Sequence, residues 1–257
     1  MSLNHWLALM TRNDPFINDF ANRSFRDLAD QDYITARVAY RNEFDQQFRW
    51  CALQAIEKYL KAILLFNRVS CKGLGHDLNK ALQRVQNITD LEFSVPADVE
   101  EFVDYISVYG ADRYLSHPTH LKYGALLTLD KSVWCIRRYC FFMRQVVKVD
   151  GGVKELFEIN KRKVTNPQFE KLPHLYRISG GYLEKIIDER LPAYDDLIWK
   201  NFYYGRVKKH QIKNFRFRTS SQNPTHSLHR EAFDTLDSLV DFPKPIKKLY
   251  RANKKHL

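Results

Sequence analysis

From Asp45 to Asn67 the chain is apolar on nearly every side of a 3.6-residue helix. Phe48, Trp50, Cys51, Ala52, Leu53, Ala55, Ile56, Tyr59, Leu60, Ile63 and Leu64 leave little room for a solvent face. A helix like this must be surrounded by other helices, so it predicts the centre of a bundle. Its polar exceptions are ordered: Gln54, Glu57, Lys58 and Lys61 fall at i, i+3, i+4 and i+7, on one stripe. As structure, Glu57 and Lys61 form an i,i+4 pair on a solvent-facing line, worth a few tenths of a kcal/mol. As function, Lys58 and Lys61 are cations able to hold a phosphate.

The surrounding sequence supplies partners for that helix. Leu28, Ala29, Tyr33, Ala36 and Tyr40 repeat at helical spacing upstream. Downstream, Asp77 suits an N-cap for a short helix with Leu78, Ala81, Leu82 and Val85 inside. A fourth helix starts near Pro96, with Ser94 as a candidate cap, and ends at Gly110. A fifth runs from Pro118 or Thr119 to about Val147, with Leu121, Ala125, Leu129, Val133, Ile136 and Cys140 as its core face. Five helices with short connections predict an all-α, up-and-down antiparallel helical bundle over residues 1–150, with its core at about 20–148. Residues 151–257 read as a basic, mostly helical C-terminal extension. Helices are expected at Val153–Lys161, Tyr182–Arg190, Asp195–Tyr204 and Ser227–Val240, and Asp150-Gly151-Gly152 marks the break.

Several classes fall away. The longest strongly apolar run, Ala62 to Phe66, is far shorter than the roughly 20 residues that span a bilayer, so no membrane segment is expected. No basic residue precedes the short patch Trp6 to Met10, so no secretory signal is read. Cys51, Cys71, Cys135 and Cys140 show no Cys-x-x-Cys pairing, which suits reduced thiols in a cytoplasmic protein. His226 and His229 have a His-x-x-His spacing without the Glu of a zinc protease, so no metal is assigned. No glycine-rich nucleotide loop or Gly-x-Ser-x-Gly occurs. ATP hydrolysis, dinucleotide redox chemistry and serine hydrolysis therefore lack support, and no cofactor is expected.

Charge is the next constraint. The formal net charge is +11, but residues 1–150 hold 19 Lys/Arg against 18 Asp/Glu, while the rest hold 22 against 12. No acidic residue lies between Asp196 and Glu231. That stretch carries Lys200, Arg206, Lys208, Lys209, Lys213, Arg216, Arg218 and Arg230, interleaved with Phe202, Tyr203, Tyr204, Phe215 and Phe217. Cations follow a phosphate backbone and aromatics stack on unpaired bases, so the composition suits single-stranded nucleic acid. The competing reading packs the aromatics onto the bundle and leaves the charges in water. Asn214 to Thr219 alternates aromatic and basic residues and predicts an extended segment. Lys247, Lys248, Arg251, Lys254 and Lys255 read as a loose basic tail.

The central helix also carries a family resemblance. Gln54-Ala55-Ile56-Glu57-Lys58-Tyr59-Leu60-Lys61-Ala62 resembles the Gln-Ala-x-Glu-Lys-x-Leu-Lys-Ala signature of the HEPN domain family. His76-Asp77-Leu78 resembles the family's His-Asp-Leu, and Arg113-Tyr114 its Arg-Tyr step, in the same order. The resemblance covers about residues 20–148. It implies a helical bundle that often forms a homodimer and engages RNA or nucleotides. Some members are metal-independent ribonucleases; others are inactive partners of nucleotidyltransferases or of toxin–antitoxin pairs. Active members resemble one another in an Arg-x(4–6)-His motif, and here six residues separate Arg113 from His120. His117 offers a shorter alternative, and Tyr114 stands where active members carry a polar residue, often Asn.

Such a pair has a definite chemistry. A histidine near neutrality takes the 2′-OH proton, and a permanent guanidinium holds the developing phosphorane charge. The expected function is RNA or nucleotide binding by a non-catalytic adaptor. Two alternatives stay open: an endoribonuclease using Arg113 and His120, and a protein-binding partner in a toxin–antitoxin-like system.

Overall fold

The computed structural model describes residues 14–110, 119–150, 152–206, 220–222 and 230–252. They form an all-α, mostly up-and-down bundle. Its centre is α3 (Asp45–Phe66), in which Ala52, Ala55, Ile56, Tyr59, Leu60, Ala62, Ile63 and Leu64 are fully buried. At about 1.5 Å per residue it runs the length of a small domain. Around it pack α1 (Asp14–Ala21), α2 (Asp27–Arg41), α4 (Leu78–Gln86), α5 (Ala97–Tyr109) and α6 (Ala125–Arg137). One π-helical turn, Asn22–Arg26, joins α1 to α2, and Asp27 N–H donates to Asn22 C=O across it. Asp77 caps α4 by accepting from the Lys80 amide at 3.0 Å.

The fifth expected helix is shorter than its periodicity. Thr119–Leu121 is a strand, β1, and α6 begins only after Gly124, whose φ of 70° is the left-handed conformation. That φ interrupts the helix at a position suited to glycine. Leu121 still enters the core from the strand, so the apolar spacing is right while the backbone differs. At the other end the run of β-branched residues wins. Val146–Val149 (β2) pairs antiparallel with Gly152–Glu155 (β3), in register Val147↔Lys154. The helix expected from Val153 therefore starts later, as α7 (Phe157–Val164).

The remaining elements are α8 (Pro167–Lys171), α9 (Tyr182–Glu189), α10 (Tyr194–Ile198), β4 (Ser220–Gln222), α11 (Arg230–Leu239) and α12 (Lys244–Ala252). One hydrophobic core runs from Ala21 through Phe157, Val164, Leu183 and Ile186 to Leu197. The first part of the extension thus completes the bundle's own core. A second small cluster, Phe233, Phe242, Ile246 and Tyr250, packs α11 with α12; the Phe233 and Tyr250 rings stack at 4.5 Å. Lys247, Lys248 and Arg251 lie on helix α12 and not on a loose tail, and Asp237 pairs with Lys247 and Arg251. The amphipathic spacing of Ile246 and Tyr250 accounts for this. Lys254 and Lys255 lie outside the described residues.

Gly110 closes α5 against α3. A Cβ there would lie 2.6 Å from the Ile106 carbonyl, and 2.9 Å from both the Arg49 carbonyl and Leu53 Cβ. Two of these are backbone atoms that cannot swing aside. Gly110→Ala is expected to cost about 1–3 kcal/mol through overpacking. A thermal melt at or above the native midpoint would contradict the close packing.

Candidate nucleic-acid interface

The described chain stops at Gly110, before Arg113 and His117, and resumes at Thr119. Both ends are fixed: Gly110 against the α3 backbone, and Leu121 by full burial in the core. Arg113 and His117 themselves lie outside the described residues. His120 is placed by its backbone, at the centre of β1.

Strand β1 has one partner among the described residues, and it comes from the extension. β4 pairs with it antiparallel: Thr119↔Gln222, His120↔Ser221 and Leu121↔Ser220. Residues 197–230 contain no carboxylate, so the end of the basic stretch is hydrogen-bonded to the strand that holds His120. Lys208, Lys209, Lys213, Phe215, Arg216, Phe217 and Arg218 lie outside the described residues. So does the Asn214–Thr219 alternation; the described strand follows immediately after it, at Ser220.

The beginning of the stretch behaves differently. Tyr203 packs its ring 5.7 Å from Trp134, and Tyr204 sits 5.9 Å from Tyr33. Burial pushes both hydroxyls well above the ordinary tyrosine range. These two rings belong to the bundle's packing. Arg206 is exposed and lines a cavity of about 640 Å³ together with Arg177 and Arg190.

Beside the Gly110 end lies Arg49, which sequence reasoning missed. Its side chain is 1% exposed, and none of its three guanidinium nitrogens makes a hydrogen bond among the described residues. It neighbours the Tyr105 hydroxyl, whose pKa burial raises and the Arg49 charge pulls back. A buried guanidinium is costly, and the Tyr105 hydroxyl beside it offers partial compensation. The signal was available: a lone arginine between Phe48 and Trp50 in an apolar helix.

The polar stripe of α3 is half-buried and only partly solvent-facing. Glu57 is 5% exposed and accepts from Lys61 Nζ at 2.6 Å, while its other oxygen meets His76 Nδ1 at 2.9 Å. Lys61 also donates to the Gly75 carbonyl at 2.8 Å. These contacts pin the 70–77 connection onto α3, because that connection must close over a charged residue inside the bundle. Lys58 pairs with Asp32 of α2. Both lysines of the stripe thus have carboxylate partners within the chain.

A buried ionic network ties the extension to the bundle. Arg137 of α6 donates to both oxygens of Asp30 (2.7 and 2.9 Å) and both of Glu184 (2.8 and 2.7 Å). Tyr59 donates to Asp30 at 2.6 Å, and the Leu183 and Ile178 amides donate to Asp30 and Glu184. Burial drives the Asp30 pKa up against the pull of Arg137. For Glu184 the same burial is outweighed by Arg137, and its pKa is lowered. A second centre joins Arg37 to Asp130 and to the Asp196 and Trp199 carbonyls. Tyr33 donates to Asp130 at 2.6 Å, and Asn201 donates to Tyr33 at 2.8 Å.

All four cysteines are free thiols, and burial raises Cys135 to about 11. Among the described residues no cluster of His, Cys, Asp and Glu is suited to a metal ion, and no helix is long and apolar enough to cross a membrane. His226 and His229 lie outside the described residues. No family model, no curated protein and no solved structure matches this chain.

Proposed function

We propose that the chain is a HEPN-like bundle that binds RNA or nucleotides as a non-catalytic adaptor. In this reading α2 to α6 stand for the five helices of that family, and the protein works as a cytoplasmic homodimer. A nucleotidyltransferase or an antitoxin is a fitting protein partner. The observation that carries the reading is the β1–β4 pairing. It tethers the far end of the acid-free stretch to the His120 strand, while Tyr203 and Tyr204 tether its near end to the bundle. Lys208, Lys209, Lys213, Arg216 and Arg218 lie between these anchors, with Phe215 and Phe217 to stack on bases. Arg206 stands at the exposed near end. Lys58 and Lys61, already paired, would contribute only by exchanging carboxylate for phosphate. Four unpaired thiols favour a reducing compartment.

Titration of a labelled single-stranded RNA by anisotropy tests this. Neutralising about five phosphates makes a threefold rise in salt weaken binding about 50-fold. Exchanging Lys208, Lys209, Lys213, Arg216 and Arg218 for glutamate removes binding. Absent or salt-insensitive binding overturns the proposal.

A buried cation, Arg49, packed against Gly110, three residues before Arg113 in the chain, favours a second reading, metal-independent RNA cleavage. There His120, or alternatively His117, is the base and Arg113 the electrostatic stabiliser. Cleavage in chelator, lost in Arg113→Ala and His120→Ala, is its expected result. Equal cleavage by all three proteins removes it.

A further inference from the structure

The cavity of about 640 Å³ that Arg206 lines is built wholly from the extension, by residues 174–177, α9, α10 and the turn at 204–206. Its inner surface is half-buried and largely apolar: Ile187, Ile198 and the rings of Tyr194 and Tyr204. Arg190 and Arg206 are exposed and so form the rim. The Arg190 guanidinium lies over the Tyr194 ring, 5.4 Å from its centre. The Tyr194 and Tyr204 hydroxyls have no hydrogen-bond partner among the described residues, and both keep contact with solvent. Burial holds the Tyr204 hydroxyl in its protonated form, as a donor.

The charges at the cavity are unevenly satisfied. Both carboxylates that line it are already paired. Glu184 accepts two bonds from Arg137, at 2.8 and 2.7 Å, and Asp188 pairs with Arg177 at 2.6 Å. The other basic groups are not. Arg190 and Arg206 have no carboxylate partner among the described residues, and the half-buried His174 ring makes no hydrogen bond there. Every unpartnered polar side chain at this cavity can thus donate a hydrogen bond, and two of them carry a permanent positive charge.

We infer that this cavity binds an organic carboxylate with an apolar body, the charge held between Arg190 and Arg206 and the body laid on Tyr194, Tyr204, Ile187 and Ile198. The volume falls in the range of small-molecule sites, which join an apolar lining to a few placed polar groups. A guanidinium fork matches the two oxygens of a carboxylate, and a tyrosine hydroxyl adds a neutral donor. A single negative charge suits the site better than the double charge of a phosphate. Asp188 and Glu184 stand in the same walls, and their repulsion of a dianion is twice that of a monoanion. A free acid and the C-terminal residue of a peptide both present this chemistry. The inference does not rest on the RNA reading, although Arg206 belongs to both.

The test is calorimetric titration of the full chain with phenylpropionate, N-acetylphenylalanine, the neutral amide of the latter, acetate and inorganic phosphate. At least one of the two aromatic acids is expected to bind about tenfold or more tighter than the amide, since charged hydrogen bonds are at stake. It should exceed acetate by a similar factor, through the apolar body. Tighter binding of phenylpropionate supports a small free acid, and tighter binding of N-acetylphenylalanine supports a peptide end. Arg190→Gln should weaken the acid about tenfold and leave RNA anisotropy unchanged, because Arg190 lies before the acid-free stretch. Arg190 is at the exposed rim, so this variant folds. Tyr204→Phe keeps the ring and should weaken the acid by a smaller factor. No binding at millimolar concentration, an amide that binds as tightly as its acid, acetate or phosphate as tight as the aromatic acids, or an unchanged Arg190→Gln affinity each overturns the inference.

Discussion

Arg137→Met is expected to destabilise the protein by about 3–5 kcal/mol, which is on the order of 10 °C in Tm for a chain of this size. The substitution keeps most of the volume and removes the one cation shared by two buried carboxylates. Asp30 is fully buried and Glu184 is 9% exposed at its side chain. Neither has another cation within salt-bridge distance among the described residues. Each would stay behind as an uncompensated charge, which costs far more than the pair's own net value. The pH dependence gives the sign. Without Arg137 both carboxyl groups have folded pKa values raised above their unfolded ones. A raised carboxylate destabilises at pH values above it, so the deficit shrinks as the solution is acidified and both protonate. The gap in Tm between native and variant should therefore be smaller near about pH 5 than near about pH 8. An unchanged melt, or a gap that widens in acid, would refute this account of the network. Gly181 makes a further point about its tightness: a Cβ there would fall 1.9 Å from Glu184 Oε2 and 2.9 Å from Arg137 Nη2.

Truncation after Asp150 is expected to leave a chain without a cooperative unfolding transition, whereas truncation after Arg206 preserves one. Residues 152–206 supply Phe157, Val164, Tyr176, Ile178, Leu183, Ile186 and Leu197 to the main core. At about 1.5–3 kcal/mol for each large apolar side chain, their loss exceeds the roughly 5–15 kcal/mol by which domains are stable. The same cut takes Glu184 from Arg137, and the Asp196 and Trp199 carbonyls from Arg37. Cutting after Arg206 removes α11 and α12, whose described buried residues form a cluster of their own and not part of the main core. Urea denaturation followed by circular dichroism reads both outcomes. A sigmoidal transition in the 1–150 fragment would show that the bundle stands without its extension.

The charge asymmetry and the edge of the core fall at different places in the chain. The excess of 22 Lys/Arg over 12 Asp/Glu after residue 150 suggested a basic arm hung on a near-neutral bundle. The boundary of the main core falls later, near Leu197, and the acid-free stretch starts at that same point. Leu183 and Ile186 were visible as a helical pattern in the extension. What that pattern packs against is decided by contacts with α2 and α6, more than 40 residues away in the chain, and no local periodicity reports these.

The helices α2 to α6 were legible because a 3.6-residue apolar repeat has few other solutions, and Asp77 and Gly110 punctuate it by well-defined backbone chemistry. Two of the buried arginines were not legible. Arg37 and Arg137 sit in helices where a charged residue ordinarily marks the wet face. Only the approach of Asp130, or of Asp30 with Glu184, turns an arginine inward. The π-helical turn at Asn22–Arg26 is equally silent in a sequence, since one extra residue per turn shifts the apolar spacing by less than a helix end does.

By itself, then, the sequence determined a helical bundle built around Asp45–Phe66, a charge asymmetry, and a candidate pair at Arg113 and His120. Those follow from local spacing and composition, which a single strand of residues carries in full. Tertiary structure alone decided that Leu183 and Glu184 belong to the bundle. It alone set Ser221 opposite His120, and gathered His174, Arg190 and Arg206 around one cavity. Each of these depends on long-range closure of the chain, whose free energy is settled by what meets at the end and not by the residues in between.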